Sequence, residues 1–146
     1  MAGNAAIYIA DPSLIGSRFF DKIEGIQSYE SLSQGDSATG VRFTLDAGQV
    51  TMNFMPDEQV AQHLNGFAGY ADHVIKDKDL LIYTQSRIYY VRLVCGCVIT
   101  PDFDEDGKIQ DFLFQFTRAA NGLLFCADTI FDYDGQALGG RYAEES

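Results

Sequence analysis

The chain has 146 residues, 47% of them apolar, and a formal net charge of −11, which is enough for one domain with a real core and too little for two. A field of that sign repels phosphate backbones and anionic lipid surfaces, so nucleic acid and membranes are excluded as expected partners and a cation or a basic protein is favoured. No stretch of eighteen apolar residues and no basic, apolar leader occurs, and three cysteines sit in apolar segments, so a cytoplasmic protein with reduced thiols is expected.

In chain order, AAIYIA at 5 to 10 is a short run with β-branched and aromatic members and predicts a first strand. Asp11 and Pro12 then stand where an N-cap and a first helical residue belong, and Ile15, Phe19, Ile23 and Ile26 recur at helical spacing, which predicts a helix over about 12 to 25. The serine-rich, glycine-containing stretch that follows predicts a mobile loop over about 27 to 40. Next, Val41, Phe43 and Leu45 alternate with polar neighbours, as do Val50, Met52 and Phe54, and Asp46-Ala47-Gly48 joins the two runs as a hairpin.

Pro56-Asp57-Glu58 opens a second helix with Val60, Leu64, Phe67, Ala71 and Val74 or Ile75 on one stripe. Gly66 and Gly69 weaken it by about 1 kcal/mol each, a weakness expected to serve close approach to a sheet. IYYVRLVCGCVI, 88 to 99, predicts a long central strand. Ile109, Phe112, Leu113, Phe116 and Ala120 predict a third helix that stops near Asn121-Gly122 in a left-handed C-cap. GLLFCAD and TIFDY predict one or two more strands, and the tail over about 139 to 146 is expected to fray.

The order β-α-β-β-α-β followed by α-β-β predicts an α+β fold, a ferredoxin-like βαββαβ sandwich with an added C-terminal helix and strands, in one domain spanning 1 to 146. The hairpin ending in NFMP, the helix beginning PDEQV and its close at DHVIKD resemble the middle of an uncharacterised bacterial domain family of ferredoxin-like build. The resemblance covers about 41 to 78, and it implies a fold and no activity.

The candidate chemistry centres on PDFDEDGKIQDF, 101 to 112. Asp102, Asp104 and Asp106, with Gly107 and Ile109, match the first half of a calcium loop, whereas the bidentate glutamate that should close it is replaced by Leu113. A turn with acids capping the third helix competes with calcium there. The acids are also concentrated: residues 100 to 135 hold eight of them against Lys108 and Arg118, a net of −6. Simple solubility is the blander use of such a surplus.

Other constellations carry less. Strand alternation puts Tyr89, Val91, Leu93, Cys95, Cys97 and Ile99 on one apolar face, so Cys95 and Cys97 read as core thiols, as does Cys126. His63 and His73, ten residues apart on one helix, lie about 15 Å apart along its axis and cannot share a metal. No serine or cysteine stands in a nucleophile motif. If helices cover the apolar face of the sheet, the other face gathers Tyr8, Arg42, Thr44, Thr51, Asn53, Tyr90 and Arg92, with a helix or a second subunit of a homodimer as the competing occupant.

The expected function is therefore non-enzymatic: a regulatory or inhibitor-like domain that binds a basic protein partner through Asp102, Asp104, Glu105 and Asp106. One alternative is a calcium module using Asp102, Asp104 and Asp106 in the loop 102 to 111, the one cofactor the sequence implies. The other is a small-molecule-binding protein or enzyme using Tyr8, Arg42, Tyr90 and Arg92 on the open sheet face.

Overall fold

The computed structural model describes residues 3–15 and 18–144. Its strands are β1 (Gly3–Ile9), β2 (Ile26–Gln34), β3 (Ser37–Leu45), β4 (Gly48–Phe54), β5 (Leu93–Thr100), β6 (Leu123–Cys126), β7 (Thr129–Phe131) and β8 (Ala137–Gly140). Its α-helices are α1 (Asp57–Val74), α2 (Lys78–Tyr89), α3 (Lys108–Ala119) and the single turn α4 (Arg141–Glu144). All eight strands join one antiparallel sheet in the order β2-β3-β4-β5-β1-β6-β7-β8.

That sheet corrects the ferredoxin-like expectation, which calls for four strands with both helices on one face. Here α3 packs on one face and α1 with α2 on the other. Alternation along the strands explains the division. Ile7, Ile9, Phe43, Val50, Met52, Cys95, Cys97, Ile99 and Leu124 point to α3 and meet its Ile109, Phe112, Leu113 and Phe116. Tyr8, Val94, Leu123, Ile130 and Leu138 point the other way and meet Val60, Phe67 and Ala71 of α1, Ile75 just after it, and Ile88 at the end of α2. Each large side chain removed from water in this way contributes roughly 1.5–3 kcal/mol.

Four local expectations are corrected with it. The predicted mobile loop at 27 to 40 is instead β2 and the start of β3, paired from Ile26↔Leu45 to Gln34↔Ser37 around a two-residue turn. Its polarity misleads because β2 is an edge strand exposed on both faces apart from Ile26 and Leu32. The predicted helix over 12 to 25 is a pair of short 3-10 turns, Pro12–Leu14 and Phe19–Lys22. Asp11 caps the first, accepting from the Ser13 N–H at 3.1 Å, and Phe19 and Ile23 are buried on the α3 side as their spacing requires. The run 88 to 99 divides between the end of α2 and β5, with the Arg92 N–H donating to the Ile9 carbonyl at 2.9 Å where β5 meets β1. Of the predicted frayed tail, Gly139 and Gly140 belong to β8 and 141 to 144 to α4, while 145 and 146 lie outside the described residues.

Helix α2 answers to no expected element. Asp77 caps it, accepting from the Leu80 N–H at 3.0 Å. Its inner face is half polar, since Thr84 and Ile88 are its buried residues, and Thr84 is satisfied by its own helix through the Leu80 carbonyl. Among the described residues no helix is long and apolar enough to cross a membrane.

Candidate functional site

The acidic loop resolves into a helix cap. Both carboxylate oxygens of Asp104 accept backbone N–H groups at the start of α3, Lys108 at 3.0 Å and Ile109 at 2.9 Å, which satisfies two of the donors every helix start leaves free. The Ile109 N–H first, and then that of Lys108, hold the Asp104 carboxyl below its ordinary value. Asp102 accepts the neighbouring Phe103 N–H at 2.8 Å, and Glu105 and Asp106 are exposed. Among the described residues no three His, Cys, Asp or Glu side chains are grouped to hold a metal ion.

The thiols lie where alternation puts them, Cys95 and Cys97 buried on the α3 face together with Cys126. Burial pushes the Cys95 thiol up to about 12 and that of Cys97 well above its ordinary value, so neither supplies a thiolate near neutrality.

The residues expected on the open face are not brought together. Arg42, Thr44, Thr51 and Asn53 do share it, with Arg42 opposite Thr51 and Asn53 opposite Gly40, and Arg42 pairs with Glu30 at 3.4 Å. Tyr8 projects from the same side of the sheet but is covered by α1. Tyr90 follows the last turn of α2, and Arg92 lines a separate groove between α1 and α2. That groove encloses about 840 Å³, with Val60, Leu64, Ile88 and Val91 as its apolar floor and Tyr89 at its rim.

A second cavity, of about 700 Å³, opens between α1 and strands β1 and β6. Asp57 and Glu58 in the first turn of α1 suit the positive end of its dipole, and the apolar stripe then holds the helix across the sheet. The cavity is walled by aromatic rings from three elements: Tyr8 of β1, Phe67 and Tyr70 of α1, and Phe125 of β6. Tyr8 stacks on Phe67 with centroids 4.1 Å apart and planes 5° from parallel, and Phe125 meets Phe67 and Tyr70 edge to face.

Polar groups are few and specific. The Tyr8 hydroxyl lies 2.8 Å from His63 Nε2. Burial raises the phenol well above its ordinary value, so it stays protonated and can donate to Nε2 when the ring carries its proton on Nδ1. Asn4, Gln62 and Asp128 complete the polar lining. Gly66 is part of the wall, and a Cβ built there would meet nothing within 4 Å, as at Gly69. The expected close approach of these glycines to the sheet is thereby corrected: Gly66 leaves room instead of removing a clash.

The far rim is the two-residue loop Ala127-Asp128 between β6 and β7. Both residues have positive φ, 51° and 57°, as a tight hairpin of this kind demands, but neither is glycine. Left-handed backbone costs an L residue about 1 kcal/mol or more. The Tyr70 hydroxyl donates to the Asp128 carbonyl at 2.8 Å, and the Arg141 N–H reaches the same oxygen at 3.3 Å, so the loop is pinned from two sides.

Sequence reasoning found Tyr8 and missed the rest of this site. Tyr8 and His63 are 55 positions apart, and only the fold brings them together. No local signal announced the pairing, since Gly66, like Gly69, is an exposed position of α1. Comparison with protein-family models, curated proteins and solved structures found no match in any of the three.

Proposed function

We propose that this chain is a non-catalytic small-molecule-binding protein whose site is the cavity between α1, β1 and β6. The observation that carries this reading is a space of about 700 Å³, walled by aromatic side chains, with the Tyr8 hydroxyl and the exposed His63 hydrogen-bonded at one wall. A concave, mostly apolar site with a few convergent polar groups is the usual form of a ligand pocket. Gly66 lies on the exposed wall of this space and adds no side chain to it.

Amide chemical shifts of the labelled protein, followed during titration with indole, test this. Shifts confined to β1, the middle of α1 and residues 125 to 128 are expected, and Gly66→Leu, whose side chain would enter the cavity, should remove them while the protein stays folded. Shifts elsewhere, or none, would remove the reading.

A second reading, binding of a basic protein partner, is favoured by the groove between α1 and α2. Tyr89 is 82% exposed and Tyr90 66%, and paired tyrosines beside an apolar groove are typical anchors at interfaces. Under this reading the partner engages Tyr89 and Tyr90, while Asp102, Asp104, Glu105 and Asp106 contribute attraction at a distance. A leucine-containing oligolysine peptide should then bind in a salt-dependent manner and lose affinity in a Tyr89→Ser, Tyr90→Ser variant. Loss only on neutralising the acids would move the surface back to the 102 to 106 loop.

A further inference from the structure

The polar groups of the cavity have a consistent sign. Neither lysine nor arginine lines it, and its one residue of fixed formal charge is Asp128, exposed at the rim. Among the described residues that carboxylate takes part in no hydrogen bond or ion pair; the contacts at Asp128 are made by its backbone carbonyl. By contrast Asp132, four residues on, accepts from Tyr83, Arg87 and the Tyr133 N–H. Asp128 is exposed, with its carboxylate unengaged, on a loop whose backbone is pinned from two sides.

We infer that the ligand of this cavity is an organic cation, an amine carried on an aromatic body, its ring against the wall that Tyr8, Phe67, Tyr70 and Phe125 form and its ammonium group at Asp128. The inference rests on the proposed ligand-binding reading and narrows its chemistry. Aromatic walls favour a flat apolar body and attract a cation near a ring face. A carboxylate at the mouth adds a charge-assisted hydrogen bond. The net charge of −11 raises the local concentration of cations and lowers that of anions. Asn4 and Gln62 supply neutral hydrogen-bonding capacity beside it.

Three probes that share an indole ring and differ in charge separate this inference from the reading beneath it: tryptamine, tryptophol and indole-3-acetate, titrated calorimetrically into the full chain. Tryptamine is expected to bind about tenfold more tightly than neutral tryptophol, and indole-3-acetate more weakly than either. Asp128→Asn, whose side chain tolerates left-handed backbone, should bring tryptamine to the affinity that tryptophol shows in the same variant. Gly66→Leu should abolish binding of both. Equal affinity of the amine and the alcohol, or an amine preference that survives Asp128→Asn, overturns the cation inference while sensitivity to Gly66→Leu keeps the cavity. Binding of none of the probes, or binding indifferent to Gly66→Leu, overturns the ligand-binding reading itself.

Discussion

The two faces of the sheet are built differently. Toward α3, phenylalanines interlock, Phe43 with Phe112 at 5.2 Å and Phe19 with Phe116 at 4.9 Å, and a pocket at that layer's edge, near the β3–β4 turn, has about 240 Å³. On the side of α1 and α2 lie a groove of about 840 Å³ between the two helices and one of about 700 Å³ between α1 and strands β1 and β6. The difference lies in the helices. Beside Thr117, the buried face of α3 is made of large apolar side chains, Ile109, Phe112, Leu113 and Phe116, whereas α1 places Ala61, Ala68 and Gly66 along its grooves. One face is filled by interlocking rings, and the other is a second core with open grooves along its helices.

The largest test of that contrast compares truncations on the two sides. Phe43 is fully buried among four aromatic neighbours, Phe20, Tyr29, Phe112 and Phe116, and Phe43→Ala should cost about 4 kcal/mol through lost burial and an unfilled void. Phe67 already borders open space, which water can share after truncation, so Phe67→Ala should cost about half as much. Denaturant midpoints at constant m measure both. Equal losses would mean that the α1 side is packed as tightly as the α3 side and that its cavities are superficial.

Next in size is the polar clamp that holds α2. Arg87 donates to Asp132 at 3.2 Å and to the Asn121 carbonyl at 2.8 Å, and the Tyr83 hydroxyl donates to Asp132 at 2.6 Å. Asp132→Ala strands these donors and should cost about 2 kcal/mol, less than a wholly buried pair because Arg87 keeps some contact with water. Hydrogen exchange should show the loss first in α2 while β5 and α3 keep their protection. A uniform loss across the chain would show that α2 is not held separately. Smaller again, and opposite in sign, Gly66→Ala and Gly69→Ala should each gain up to about 1 kcal/mol, since neither new methyl meets an obstacle. A loss at Gly66 alone would mean that its position is filled.

What the sequence made legible follows the same division. The α3 side was readable because its signals are local and strong: alternation in β3 and β4, the helical stripe from Ile109 to Phe116, and the alternation that put Cys95 and Cys97 on the core face. The Asp104 cap was readable as one of two meanings of a single motif. The other side was not. Helix α2 buries too few apolar residues for a stripe, and its end runs into β5 through an unbroken apolar stretch that periodicity cannot divide. The edge strand β2 has the composition of a loop because both its faces meet water. The cavity depends on Tyr8 meeting His63 and on Asp128 meeting Tyr70, pairs set only by the order of strands in the sheet.

The smallest effect belongs to the packed side and appears only in acid. Asp104 has its carboxyl held low by the N–H groups of Ile109 and Lys108 and by the Lys108 ammonium. A group depressed on folding contributes stability that is fully present above its unfolded value and is lost as pH falls through that value toward the folded one. For a carboxylate the loss therefore begins near about pH 4 and continues below it. Asp104→Asn retains a side chain able to cap but has no charge to titrate. The wild-type advantage should be constant from neutrality to about pH 5 and shrink steadily below about pH 4, as read from denaturant midpoints across that range. If the advantage held to the lowest pH at which both proteins fold, the cap would stabilise α3 through geometry alone, and the start of the helix that anchors the packed face would owe nothing to the charge on Asp104.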